Sequence, residues 1–313
     1  MTGPVAAGLD APRRLRVLLA TATLSQFAAS MAQQGTLVLG VFFAAIYHLT
    51  LGQMGGVVSS VTLGLVVSCL FVGSLVDRYG PRAVLSVGTA LVVVAAATVG
   101  ASHTLPLTVV LLFVLGMLLG AVPVAGTTAV LAAWPRERRG LPLGIRQMGV
   151  PAGAMVAALA LPVLTVRYGP QPMYFGFAVL LAVGGVAFCA VLPRRTASLA
   201  VDSTDGVLLR HEASHIVMPA FTGFLMGWGQ YAVATYTIPF LHDAHGISIA
   251  TAGILLAVSQ LGGGVARIVL GHVSDRIGGR RDSVLTLTAA CGVALACLLA
   301  VLPRDTALVA LAP

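Results

Sequence analysis

Charge is what this sequence has least of. Only 9% of its 313 residues are Asp, Glu, Lys or Arg, and lysine is absent altogether. A soluble domain carries about 25% charged residues, and a surface facing water cannot be covered with so few. A soluble enzyme and a disordered chain are therefore excluded. Cysteine is scarce too. Cys69, Cys189, Cys291 and Cys297 all sit inside apolar runs, with no CxxC pair among them. They read as small buried hydrophobes, not as a disulfide scaffold or a metal set. The net charge is +8, but no long basic stripe with interleaved aromatics accompanies it, so nucleic acid is not a partner. No Asp or Glu lies well inside an apolar run, which argues against simple proton coupling through an intramembrane carboxylate.

Apolar residues make up 58% of the chain. Spanning a bilayer as a helix takes about 20 of them in succession. Nine runs qualify, at about 17–46, 53–76, 83–101, 106–133, 142–165, 172–192, 215–241, 248–274 and 284–302, and a tenth begins near Thr306. The chain thus reads as an all-α integral membrane protein solvated by the lipid bilayer. Arg13, Arg14 and Arg16 precede the first run, and Ser30-Met31-Ala32 has the look of a signal cleavage site. The apolar character continues to Ile46, beyond any signal h-region, so a retained helix is expected.

The arginines set the orientation. The N-terminus and the segments after the second, fourth, sixth and eighth runs hold 14 of the 18, whereas the alternate loops hold only Arg167 and Arg304. By the positive-inside rule the N-terminus is cytoplasmic, in a multi-pass inner or plasma membrane protein. The polar stretch 193–214 reads as a cytoplasmic linker between a six-helix half, 1–192, and a second half, 215–313.

An internal repeat supports that division. LGLVVSCLFVGSLVDRYGPR (63–82) and LGGGVARIVLGHVSDRIGGR (261–280) share eight of twenty positions at an offset of 198. Both copies follow the second span of their half, as in a parallel repeat. GSLVDRYGPR and GHVSDRIGGRR resemble the loop signature of the major facilitator superfamily, roughly GxxxDRxGxR, and WPRERRGLPLGIRQMGVPAG (134–153) resembles its fourth-to-fifth-helix region. The resemblance implies a bundle of two six-helix halves and transport of a small-molecule substrate by alternating access. It implies no organic cofactor, and a coupling proton or counter-solute as the energy source. Against the usual twelve spans, six plus three and a fragment imply a chain truncated after its ninth helix.

Residue chemistry suggests roles within the signature. Gly73 and Gly271 allow close helix approach, and Gly80 and Gly278 allow a tight turn. Asp77 and Asp275 can accept from free amides at a helix N-terminus. Arg78, Arg82, Arg276 and Arg280 hold each loop at the membrane face. The resemblance implies a gating latch between the halves. The loop of Asp275 is expected at the start of the fifth helix, near Leu141 to Gly144, and Asp77 is expected to be left to Arg78, Arg82 or water.

Polar residues inside spans must face protein or water. Gln26, Ser30 and Gln33 share a face of the first run, and the seventh carries Trp228, Gln230 and Tyr231. They either line a substrate cavity or bond helix to helix. Under the 198 offset, Gln33 pairs with Tyr231 and Ser30 with Trp228. Arg146 and Arg267 are the charges within runs. Each is either a counter-charge for a small organic or inorganic anion, or a brace for the nearby loop whose long stem reaches the interface. A rival reading comes from His211-Glu212-Ala213-Ser214-His215, the HExxH of zinc hydrolases. No convincing third ligand follows, so neither a metal site nor a membrane metalloprotease is favoured.

Overall fold

In the computed structural model the structure describes residues 11–193, 221, 223, 225, 227, 229–231, 235–243 and 245–276. Among these there is no strand. The helices are α1 (Ala11–Tyr47), α2 (Leu51–Gly100), α3 (Leu105–Leu119), α4 (Ala121–Ala133), α5 (Gly140–Gln147), α6 (Gly149–Tyr168) and α7 (Met173–Val191). The helical residues 235–243 form α8, and α9 is Ile249–Arg276. α3 and α4 run on across Gly120, and α5 and α6 across Met148, each of which keeps helical dihedrals. Six of the described helical stretches are long and apolar enough to cross a membrane.

α2 is two crossings joined at one residue. Gly80 adopts φ 81° and ψ 155°, and Pro81 follows it. Positive φ is accessible to glycine without penalty, and proline needs no amide partner in a first helical turn. Phe71 and Leu91 line the same groove of about 390 Å³. Twenty residues of straight helix would separate them by about 30 Å, so the chain folds back at Gly80. The arms 51–79 and 81–100 correspond to the second and third expected runs. The first six runs and the eighth fall on described helices, the seventh only in part, and 284–302 lies outside the described residues.

The surface is apolar, as lipid requires. Leu70 and Val166 are more than 80% exposed, and Leu63, Val66, Val94 and Val163 more than half exposed. Inside, Leu39, Phe43, Val61, Leu112, Leu115 and Phe188 are sealed completely. Hydroxyls within the helices bond back to their own backbone, as Thr36 does to Ala32 at 2.8 Å and Ser68 to Leu65 at 2.8 Å. That satisfies them where lipid offers no partner. Cys69 departs from its expected burial: it is exposed, and Cys189 is partly so. A thiol is apolar enough to face lipid as readily as core.

α9 packs along α5 and α6 through backbone made bare by glycine. A β-carbon built on Gly271 would lie 2.5 Å from the Gly140 carbonyl oxygen, and one on Gly144 would lie 2.5 Å from that of Arg267. Farther along, one on Gly253 would lie 2.5 Å from the Ala158 oxygen. Pro162 lacks the N–H that would otherwise occupy that oxygen. Gly73, the repeat partner of Gly271, meets nothing within 4 Å. The expected close approach at Gly73 is therefore absent among the described residues, because no helix faces it there.

Candidate functional site

Besides the packing of α9 on α5 and α6, three contacts among the described residues join the two halves at their ends and middle. At the end of the bundle holding the α4–α5 turn, the Asp275 carboxylate accepts from the amides of Gly140 and Leu141, at 2.7 and 2.8 Å. These are the first two amides of α5, which have no partner within the helix, and the carboxylate caps them from the other half. At the opposite end, the Tyr236 hydroxyl lies where a β-carbon on Gly55 would be, 2.7 Å away. Between them the Gln33 side-chain amide donates to the Tyr231 hydroxyl at 2.9 Å. Those two residues are 198 apart, the offset of the repeat. Equivalent positions of two halves related by a pseudo-two-fold axis can touch only beside that axis. The axis of the bundle therefore passes next to Gln33 and Tyr231.

Gln26 and Ser30 face elsewhere. The Ser30 hydroxyl donates to the Val150 carbonyl at 2.6 Å, and Gln26 is taken up by Arg146. Both make interhelical hydrogen bonds. Gln230 is half-buried with no hydrogen bond among the described residues. Trp228, Gly278, Arg280 and the HExxH segment 211–215 lie outside them.

Arg146 does not reach for the interface; its side chain is 0% exposed. One terminal nitrogen donates to Gln26 Oε1 at 2.7 Å, to the Val122 carbonyl at 3.0 Å and to that of Pro123 at 3.3 Å. The other donates to Thr127 Oγ1 at 3.1 Å. Thr127 gives its own proton to Pro123 at 2.7 Å, leaving a lone pair for the guanidinium. The guanidinium lies flat on α4 because Gly126 has no side chain, and any β-carbon there would collide with it. Nε is buried without a partner. Every acceptor among the described residues is neutral, so there the positive charge is held but not cancelled. The cradle of Gly126 and Thr127 escaped the sequence reading, although a glycine and a hydroxyl near an intramembrane arginine were the available signal.

Arg267 is half-buried and makes no hydrogen bond or ion pair among the described residues, and its backbone meets Gly144; the loop it would brace, beyond Arg276, lies outside them. In the first signature copy Asp77 is exposed and has no partner among the described residues. Arg82 bonds to the Leu192 carbonyl at 2.8 Å instead, and Arg78 lies over the Tyr79 ring at 5.4 Å. Arg276 is exposed at the end of α9.

Residues 22–313 match the family model described as Major Facilitator Superfamily. An uncharacterized MFS-type transporter of Mycobacterium tuberculosis is 34% identical over 253 residues, covering 80% of this chain and 57% of the relative. A probable sulfoacetate transporter of Cupriavidus necator is 26% identical over 250 residues, covering 73% of this chain and 57% of the relative. The chain thus spans a little over half the length of these curated relatives. Among solved structures, a bacterial homolog of the human lysosomal transporter Spinster, inward-facing and unoccupied, aligns with a TM-score of 0.65 at 13% identity, covering 85% of this chain and 64% of that one. A D-xylose–proton symporter aligns at 0.59 with 16% identity, covering 84% and 69%.

Proposed function

Because the chain belongs to the Major Facilitator Superfamily, a family of membrane transporters and not of enzymes, we propose that it acts as a secondary active transporter moving a small anion by alternating access. Residues 1–192 and 215–313 are the two rocking halves, joined by the linker 193–214. The N-terminus is cytoplasmic, in the inner or plasma membrane, and a coupling proton or counter-solute supplies the energy. Asp275 on the α5 amides is the latch at the cytoplasmic end, and Tyr236 on Gly55 closes the external end. With both contacts made, the two halves are held together at both ends, and Gln33 and Tyr231 border the path on its axis.

Arg146 carries the preference for an anion. A buried cation ordinarily has a counter-ion, and among the described residues this one is answered by neutral oxygens alone. In a low-dielectric interior its field reaches well beyond its hydrogen bonds and draws an anion into the bundle. The relative named for sulfoacetate, an anion, is consistent with this.

Thermal stabilisation of purified protein by a panel of small carboxylates, sulfonates and neutral sugars tests the proposal, since a ligand that binds only the folded state raises its stability. Carboxylates or sulfonates should stabilise the wild type and lose that effect in Arg146→Gln. Stabilisation by sugars alone would overturn the anion preference.

A further inference from the structure

The second arm of α2 and α7 enclose a groove of about 540 Å³ on the outer surface of the first half. Arg82, Ser86, Thr89 and Val93 line one wall, and Val186 and Cys189 the other. The four positions on α2 fall on one helical face. Arg82 is anchored by its bond to the Leu192 carbonyl, where α7 ends, and its remaining N–H groups have no other acceptor among the described residues. One turn deeper, Ser86 is exposed and makes no hydrogen bond among the described residues. Thr89, pressed against Gly185, buries a hydroxyl oxygen that has no partner either. Elsewhere Ser60, Ser68 and Thr98 each return a bond to the carbonyl three residues back. Unpaired hydroxyls at membrane depth are costly, and these two have no partner among the described residues.

The spacing matches one class of ligand. Ser86 lies about 6 Å and Val93 about 16 Å along the helix from Arg82. The headgroup zone of each leaflet is roughly 5–8 Å thick. A phosphate at Arg82 therefore places lipid ester oxygens at Ser86 and an acyl chain beside Val93 and Val186. We propose that this groove binds one anionic phospholipid of the leaflet at Arg82's end, with the phosphate on Arg82 and an ester oxygen accepting from Ser86. The site rests on the membrane placement proposed above but not on the transport path, which it does not touch. The neighbouring groove lined by Phe71, Tyr79 and Leu91 contains no charged residue and has no comparable claim on a phosphate.

Native mass spectrometry of the full chain, released from vesicles of phosphatidylglycerol and phosphatidylcholine in equal parts, tests the site. Wild type should retain phosphatidylglycerol in preference, about one molecule per chain. Arg82→Gln should reduce the preference about fivefold, the worth of one basic side chain at an anionic surface. Ala90→Phe, which fills the groove and leaves Arg82 in place, should also release the lipid, and it decides the matter if Arg82→Gln does not fold. Arg78→Gln, at the same end but outside the groove, should change nothing. Equal retention of the two lipids by wild type, retention unaffected by Ala90→Phe, or an equal loss in Arg78→Gln would each overturn the proposal. The last would mark ordinary surface charge, and none of these outcomes bears on transport.

Discussion

Replacing Asp275 by Asn keeps the side chain's shape and removes its charge, so the substitution isolates the cap on α5. The carboxylate receives two amide hydrogens, from Gly140 and Leu141. Asparagine offers one oxygen and turns its own N–H groups toward the second amide, so one bond is lost and the other is no longer charge-assisted. Hydrogen bonds to charged groups contribute about 1.5–3 kcal/mol, and a carboxylate at a helix N-terminus about 0.3–2 kcal/mol. Asp275 is half-buried, and water weakens both contributions, so about 1–2 kcal/mol is expected for the contact. That shifts the balance between latched and unlatched forms roughly 5- to 30-fold. Spin labels at Arg138 and His272, both exposed, in a chain with its four native cysteines replaced by Ala, report that balance as distance populations by double electron–electron resonance. Asp275→Asn should raise the long-distance population by that factor. Asp77→Asn, which removes a carboxylate with no partner among the described residues, should leave it unchanged. Equal effects of the two substitutions, or none from Asp275→Asn, would refute the reasoning.

Gly271→Ala drives a methyl against the Gly140 carbonyl and should cost about 1–3 kcal/mol by overpacking, seen as a lower melting temperature in detergent, whereas Gly73→Ala should be neutral or slightly stabilising. A double-mutant cycle on Gln33→Leu and Tyr231→Phe should give a coupling of about 0.6 kcal/mol, typical of one interhelical bond in a membrane; zero coupling would show that the axial contact contributes nothing. Maleimide labelling of single cysteines at positions 138 and 304 in intact cells should mark opposite faces of the membrane, and labelling of both from the same face would overturn the topology.

Much of this was readable from residues near one another in the chain. Spanning segments, and the solvent they demand, follow from unbroken apolar runs, because each run must satisfy its backbone within itself. The repeat is legible as identity at a fixed offset. The signature residues of its two copies are nevertheless the same: Asp77 and Asp275, and Gly73 and Gly271, are the same residue types at matching positions. That Asp275 would meet the fifth helix was an implication of family resemblance. Only the tertiary structure decides that Gly271 has backbone pressed against it while Gly73 has none among the described residues, since the surface each glycine meets comes from another helix. Arg146 shows the same limit. Its position within an apolar run announces that the charge must be answered, but the answer comes from Gln26, Val122, Pro123 and Thr127. Those acceptors lie 19 to 120 residues away on two other helices, and packing, not sequence spacing, brought them together.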